Sequence, residues 1–180
     1  IGAGEILASA VEIPVDVDSM AEALAEARMH LSGIVVPPSV ERNIEELDKT
    51  PAARVWANAL WRGFRALDAY ATSSEHGEGG FREWCLLGKA YAWPVTPKKY
   101  SAVESDSVRQ NPDLRRQRVL PVSTQVNESG QIFMEQHLKI AEGGGEQAPR
   151  VYFHDDTAGS TAQVHVGYVG PHRHMRNTRT

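Results

Sequence analysis

Hydrophobic residues in the first half of the chain recur every three or four positions, the spacing of helices that bury one face. Ser19 and Glu22 form a capping box, which predicts a helix start at Met20. Thr50-Pro51 predicts a second start, because threonine caps helices and proline suits their first position. Shorter helical stretches are predicted over residues 81–87 and 96–108. The stripe of the second long helix consists of Trp56, Leu60, Phe64 and Leu67.

Beyond Arg118 the spacing changes to an alternation of apolar and polar residues, which is typical of strands with one buried face. Residues 120–126 and 132–140, separated by a turn at 127–130, predict a β-hairpin. Residues 150–154 and 163–169 predict a second strand pair. The sequence therefore predicts an α+β fold, in which a predominantly helical half (residues 1–116) packs on an antiparallel sheet of about four strands (residues 117–180).

Composition limits the class of protein. The 180 residues, 41% of them hydrophobic and 23% charged, are typical of one globular domain and argue against extensive disorder. A single cysteine, Cys85, excludes an internal disulfide framework and favours a reducing compartment. Since no apolar run approaches the roughly 20 residues of a membrane span, we expect a cytoplasmic protein without a membrane partner.

The net charge of −4 is unevenly distributed, because ten acidic and three basic residues fall within residues 1–50. Basic residues cluster later in the chain, and arginines share with Trp61 the helix face opposite the apolar stripe. Such a surface is typical of binding to nucleic acid or to an acidic protein. The alternatives are a solvated surface that balances the acidic half and a Trp61 packed against another part of the chain. The predicted partner surface comprises Trp61, Arg62, Arg65, Arg115, Arg116, Arg118, Arg173 and Arg176, continuing to Arg179.

A first candidate for catalysis lies on the predicted strand 132–140, where alternation places Glu135, His137 and Lys139 on one face. With Asp113 upstream, this set resembles the site strand of PD-(D/E)xK nucleases, which implies a magnesium-dependent nuclease. The lysine of that motif follows its acid by two residues, whereas Lys139 follows Glu135 by four. The alternative is a solvent-facing strand with ordinary polar positions.

The second candidate is a metal site near the end of the chain, where imidazoles and carboxylates are dense. Side chains of these types bind zinc or iron. No established metal-binding spacing is present, and the alternative is a histidine packed in the sheet with a polar tail beyond it. The candidate ligands are His154, Asp155, His165, His172 and His174.

The leading hypothesis is an intracellular recognition or accessory module that binds nucleic acid or a protein partner within a larger protein or assembly. A metal-dependent phosphodiesterase, using a divalent metal at either candidate site, is the second hypothesis. A structural subunit of a homo- or hetero-oligomer is the third.

Overall fold

The computed structural model describes residues 12–75 and 79–177, so that Arg179 lies outside the described residues. The predicted α+β class is confirmed: helices lie mostly in the first half of the chain and the main sheet draws mostly on the second. Among the described residues, no helix has the length and apolarity needed to cross a bilayer. The helices are α1 (Met20–His30), α2 (Ile44–Leu47), α3 (Ala53–Thr72), α4 (Phe81–Leu86), α5 (Asp106–Gln110) and α6 (Pro112–Arg116).

The capping box predicted at the start of α1 is confirmed. Ser19 Oγ accepts a hydrogen bond from Glu22 N at 3.0 Å, and the Glu22 carboxylate accepts from Asp18 N at 2.6 Å. Beyond α1 the chain passes close to α3 at Gly33, where an added Cβ would lie 2.9 Å from side-chain atoms of Ala71 and Thr72. The absence of a side chain at Gly33 therefore lets the two long helices approach.

Helix α3 begins at Ala53, three residues after the predicted cap. Thr50 does not cap it, because its hydroxyl donates to Leu47 O at 2.8 Å and ends the preceding turn instead. Apart from an exposed stripe through Val55, Arg62 and Thr72, the helix is buried, including the side of Trp61, as the alternative of a packed Trp61 expected. Segment 14–17 covers that side, and this burial explains why α3 carries aromatic residues around its circumference.

The main sheet has five strands in the order β1-β7-β6-β5-β2, and β3 pairs with β4 in a separate two-stranded sheet. Strand β1 lies parallel to β7, whereas the other pairs are antiparallel. The second predicted strand pair is confirmed as β6 and β7, whereas the predicted hairpin is confirmed only over β3 and β4 and lies outside the main sheet. The main sheet is mixed rather than the predicted antiparallel sheet of about four strands, because β1 and β2 come from the half predicted to be helical. The strands are β1 (Ile34–Val35), β2 (Tyr100–Ser101), β3 (Val119–Pro121), β4 (Gln131–Phe133), β5 (His137–Lys139), β6 (Pro149–Asp155) and β7 (Val164–Pro171).

The predicted strand 132–140 is in fact two strands that belong to different sheets. Met134 N donates to Arg118 O in the hairpin, at 2.8 Å, and two residues later Gln136 O accepts from Phe153 N of the main sheet, at 3.1 Å. Residues 134–136 thus cross from one sheet to the other. The interruption changes which side chains share a face, and this determines the composition of the candidate site.

The main sheet is covered on both faces. Leu138, Val151 and Phe153 belong to the large hydrophobic core that includes α1 and α3, and an added Cβ on Gly63 of α3 would lie 3.0 Å from Leu138. Tyr152 and Tyr168 belong to a second, smaller core on the other face, formed with the β3–β4 hairpin and Met175. We call the second face, turned away from α3, the outer face of the sheet.

Candidate functional site: a cationic cleft on the outer face of the sheet

Two neighbouring strands place four polar side chains together on the outer face. His137 and Lys139 of β5 lie directly opposite Tyr152 and Arg150 of β6. The His137 and Tyr152 rings stack, with centroids 4.4 Å apart and planes 19° from parallel. These residues line a cavity of about 420 Å³, together with Glu104 and His172. We call this cavity the cationic cleft, after Lys139 and Arg150.

Lys139 and Arg150 form a cross-strand pair of like charge. Lys139 Nζ donates to Pro97 O at 2.8 Å, and Arg150 Nη1 donates to Pro149 O at 3.1 Å. Within residues 12–75 and 79–177, neither side chain forms an ion pair with a carboxylate. Burial, followed by repulsion from Arg150, lowers the pKa of Lys139, and burial lowers the pKa of Arg150. Like charges directly opposite one another destabilise a sheet. Because neither side chain has a carboxylate partner among the described residues, the cleft holds uncompensated positive charge.

The acidic residue that lines the cleft, Glu104, is already engaged. Its Oε1 accepts from Arg118 Nε at 3.1 Å and from the Tyr152 hydroxyl at 2.8 Å. Arg118 is fully buried and also donates to the carbonyl oxygens of Leu114 and Met175. Glu104 therefore compensates the buried guanidinium of Arg118 first and offers Lys139 only a secondary attraction.

His137 is held as a neutral ring. Its Nδ1 lies 2.8 Å from Glu135 O, and because a carbonyl can only accept, Nδ1 carries the proton. Burial lowers the pKa of His137 to about 3, and repulsion from Lys139 and Arg150 contributes to the shift. In this tautomer Nε2 is a hydrogen-bond acceptor. The ring can therefore accept a hydrogen bond from a ligand in the cleft, whereas its low pKa keeps it unprotonated at Nε2 near neutral pH.

His172 follows directly on the end of β7 and adds a second imidazole. Its Nδ1 is buried, with no hydrogen-bond partner within the described part of the chain. His172 and Arg150 also line an adjoining cavity of about 510 Å³, which shares Asn177 with the cleft. Since buried polar atoms are nearly always hydrogen-bonded, the Nδ1 of His172 has unused hydrogen-bonding capacity beside the cleft.

The predicted catalytic set is only partly brought together. His137 and Lys139 line the cleft, but the Glu135 carboxylate accepts from Arg109 Nε at 2.6 Å and from Glu104 N at 3.2 Å. Glu135 precedes β5, in the segment that crosses between sheets, so the alternation that grouped it with His137 does not apply. Glu135 therefore does not join His137 and Lys139 in the cleft, where the resemblance to PD-(D/E)xK nucleases had placed it.

The five predicted metal ligands are divided between opposite ends of the β6–β7 pair. His154 and His165 lie across from one another at one end, whereas His172 and His174 follow the other end of β7. The Asp155 carboxylate is occupied by the hydroxyls of Tyr70, at 2.5 Å, and Thr157, at 2.6 Å. Among the residues that the structure describes, no group of three His, Cys, Asp or Glu side chains is arranged to hold a metal ion.

The predicted partner surface is not continuous. Trp61 is 1% exposed and Arg118 is fully buried, so neither is available to a partner protein. Trp61 Nε1 donates to Pro14 O at 2.9 Å. This contact agrees with the alternative, in which another part of the chain covers the Trp61 ring. Arg62 and Arg65 line a separate cavity between α3 and residues 91–94.

The remaining arginines of that surface lie elsewhere and have partners within the chain. Arg115 covers the Phe133 ring at 4.0 Å, and Arg116 pairs with Asp113. Arg173 pairs with Glu46 of α2, and Arg176 pairs with Glu146. The pair between Arg173 and Glu46 shows the basic C-terminal segment compensating the acidic first half, as the solvated-surface alternative expected.

Sequence reasoning missed Arg150, Glu104 and Tyr152. Alternation in β6 does place Arg150 and Tyr152 on one face, but their position opposite Lys139 and His137 depends on strand register, which sequence spacing does not define.

No protein-family model, no curated protein and no solved structure matches this chain. Its function is therefore argued from the site.

Proposed function

We propose that this protein binds a phosphate-bearing small molecule in the cationic cleft. The observation that carries the proposal is the placement of Lys139 opposite Arg150 without a paired carboxylate. Two adjacent positive charges are costly in the unliganded protein. A bound anion removes that cost, so the pair favours binding.

The charge of the cleft favours phosphate over carboxylate. A phosphate group carries a charge of about −1.5 to −2 near pH 7, which matches the two cations, whereas one carboxylate neutralises only half of that charge. The Arg150 guanidinium offers a planar fork of donors suited to two oxygens, and Lys139 supplies a compact point charge. His137, protonated at Nδ1, offers Nε2 as an acceptor for a hydroxyl of the ligand.

The size of the site indicates a ligand larger than inorganic phosphate. The cleft of about 420 Å³ and the adjoining cavity of about 510 Å³ share Arg150, His172 and Asn177. Together they fall in the range of small-molecule sites. We infer that the phosphate lies at Lys139 and Arg150 and that the organic part extends past His172.

This proposal retains an anionic ligand from the recognition hypothesis but assigns it to different residues. Binding of a nucleic acid or a protein partner, a hydrolase activity, an oligomeric role and the cytoplasmic location stay predictions from sequence.

The test is isothermal titration calorimetry of the full chain with inorganic phosphate, pyrophosphate and acetate at one ionic strength. We expect saturable binding of the two phosphates, with acetate weaker. Arg150→Met and Lys139→Met should each weaken phosphate binding by roughly tenfold or more, since a hydrogen bond to a charged group contributes about 1.5–3 kcal/mol. Lys98→Met is the matched control, because Lys98 is exposed and lines none of these cavities. Phosphate affinity unchanged in both cleft variants would contradict the proposal.

A further inference from the structure

A separate cavity, of about 570 Å³, lies between α3 and residues 91–94. Trp61 and Arg65 of α3 form one wall, and Tyr91, Trp93 and Lys99 form the other. It shares no lining residue with the cationic cleft. We call it the aromatic cavity, and a ligand bound there would be separate from the one proposed for the cationic cleft.

Cations in the aromatic cavity lie against aromatic rings. Arg65 Cζ is 4.4 Å from the centroid of the Tyr91 ring and 5.6 Å from that of Trp61. Lys99 Nζ is 5.6 Å from the Trp93 ring centroid. Arg62 adds a third, exposed cation, whereas Asp16 is the acidic residue among the described residues of the lining. The cavity therefore combines flat apolar surfaces with an excess of positive charge.

Tyr91 is held in an unfavourable backbone conformation. Its φ is +67°, in the left-handed region that bulky side chains rarely adopt, yet its side chain is 58% exposed. Burial of the ring therefore does not account for a tyrosine at a position that glycine would occupy without strain. Strain of this kind persists where the position of a side chain matters for binding. The side chain in question is the one that stacks on Arg65.

We propose that the aromatic cavity binds a nucleotide. The base stacks on the exposed ring of Tyr91, and the phosphate meets the positive charges of Arg62, Arg65 and Lys99. The volume suits a ligand of this size. Stacking on aromatic side chains accepts any base, because every base has a flat face. The nucleotide is either free or the end of a single strand.

Intrinsic tryptophan fluorescence of the full chain tests this proposal, because Trp61 and Trp93 line the cavity. Adenosine monophosphate should quench the fluorescence saturably, and adenosine should bind more weakly because it lacks the phosphate. A short oligoadenylate forms the second arm: tighter binding than the mononucleotide identifies a strand end, and equal or weaker binding identifies a free nucleotide. Absence of saturable quenching by either nucleotide probe would overturn the proposal.

Two variants separate binding from folding. Tyr91→Gly should weaken nucleotide binding about fivefold or more, as expected for the loss of one stacking ring, without lowering the thermal unfolding midpoint, because glycine relieves the backbone strain. Arg65→Gln should weaken binding as well. Arg54→Gln is its matched control, since Arg54 lies on the same helix but is mostly exposed and outside the cavity. Wild-type affinity in both cavity variants would overturn the proposal.

The same titration in Arg150→Met distinguishes the two sites. Quenching by adenosine monophosphate should persist in Arg150→Met, because the aromatic cavity is intact. If quenching is instead lost in Arg150→Met and kept in Tyr91→Gly, the nucleotide binds in the cationic cleft. That result would overturn the second site while supporting the first.

Discussion

Lys139 of β5 and Arg150 of β6 lie directly opposite each other on the outer face of the sheet, with no carboxylate paired to either among the described residues. Sheets usually place opposite charges or apolar groups at such positions, because like charges there cost up to about 1 kcal/mol. The anionic ligand that we propose for the cleft would remove this cost. Stability and binding should therefore respond in opposite directions when the pair is broken.

A first prediction concerns the pH dependence of stability through His137. Its pKa in the folded protein, about 3, is below the ordinary value of 6.5, so the unfolded state takes up the proton first as pH falls. Protonation of the unfolded state lowers the free energy of unfolding below pH 6.5, by about 2 kcal/mol at pH 5 from this residue alone. Urea unfolding of the wild type and of His137→Gln from pH 7 to pH 5 measures the difference.

Charges on neighbouring side chains also act on the His137 ring. Lys139, Arg150 and Arg118 repel a proton on His137, and Glu104 Oε1 lies 3.9 Å from its Nδ1. We expect the free energy of unfolding of His137→Gln to fall less steeply with acid than that of the wild type. Parallel pH profiles would show that His137 is not held neutral by its surroundings.

The second prediction concerns the buried pair of Arg118 and Glu104. Glu104→Gln leaves the fully buried guanidinium of Arg118 without its carboxylate. Breaking a buried ion pair in this way should lower the free energy of unfolding by about 3–5 kcal/mol. Because Arg118 also donates to Met175 O and Arg176 O, the C-terminal segment should become more susceptible to proteolysis. Denaturant unfolding and limited proteolysis measure the two effects.

The control for that pair is Glu45→Gln, which removes an ion pair between highly exposed side chains of Glu45 and Lys49. Exposed pairs contribute little, so this variant should resemble the wild type in both measurements. Equal effects of the two substitutions would mean that the buried pair does not anchor the C-terminal segment.

A third prediction compares two glycines of β7. An added Cβ on Gly170 would lie 2.8 Å from both the Cβ and the carbonyl oxygen of Arg42, which cannot move without displacing the backbone. On Gly167 the closest atoms belong to the flexible end of Met134. Gly170→Ala should therefore cost about 1–3 kcal/mol and Gly167→Ala less, as measured by thermal unfolding. The opposite order would contradict the contact between β7 and residue 42.

The sequence predicts those elements whose signals are local. The capping box of Ser19 and Glu22 locates α1 within one residue, and the turn at 127–130 identifies the β3–β4 hairpin. Strands β1 and β2 have two residues each, too few for alternation to be detected. The change of sheet at 134–136 leaves no local signal, because both halves of the interrupted strand alternate.

The candidate site depends on relations between distant residues, which explains why its prediction was incomplete. His137 and Lys139 are two residues apart, so alternation grouped them correctly. Arg150 joins them only through the register of β5 and β6. The arginines around Trp61 favour a partner surface, with a Trp61 packed by another part of the chain as the alternative. Segment 14–17 does cover Trp61, but nothing in the helix itself indicates which segment does so.

The central claim is that the cleft tolerates two uncompensated cations in order to bind an anion. The most direct measurement is the free energy of unfolding of the wild type and of Arg150→Met in urea, with and without inorganic phosphate at constant ionic strength. Without phosphate, Arg150→Met should be as stable as the wild type or more stable. With phosphate at 100 times the wild-type dissociation constant, the wild type should gain about 2.7 kcal/mol, and Arg150→Met, with tenfold weaker binding, about 1.4 kcal/mol. Equal gains in the two proteins, or a variant destabilised without phosphate, would contradict the claim.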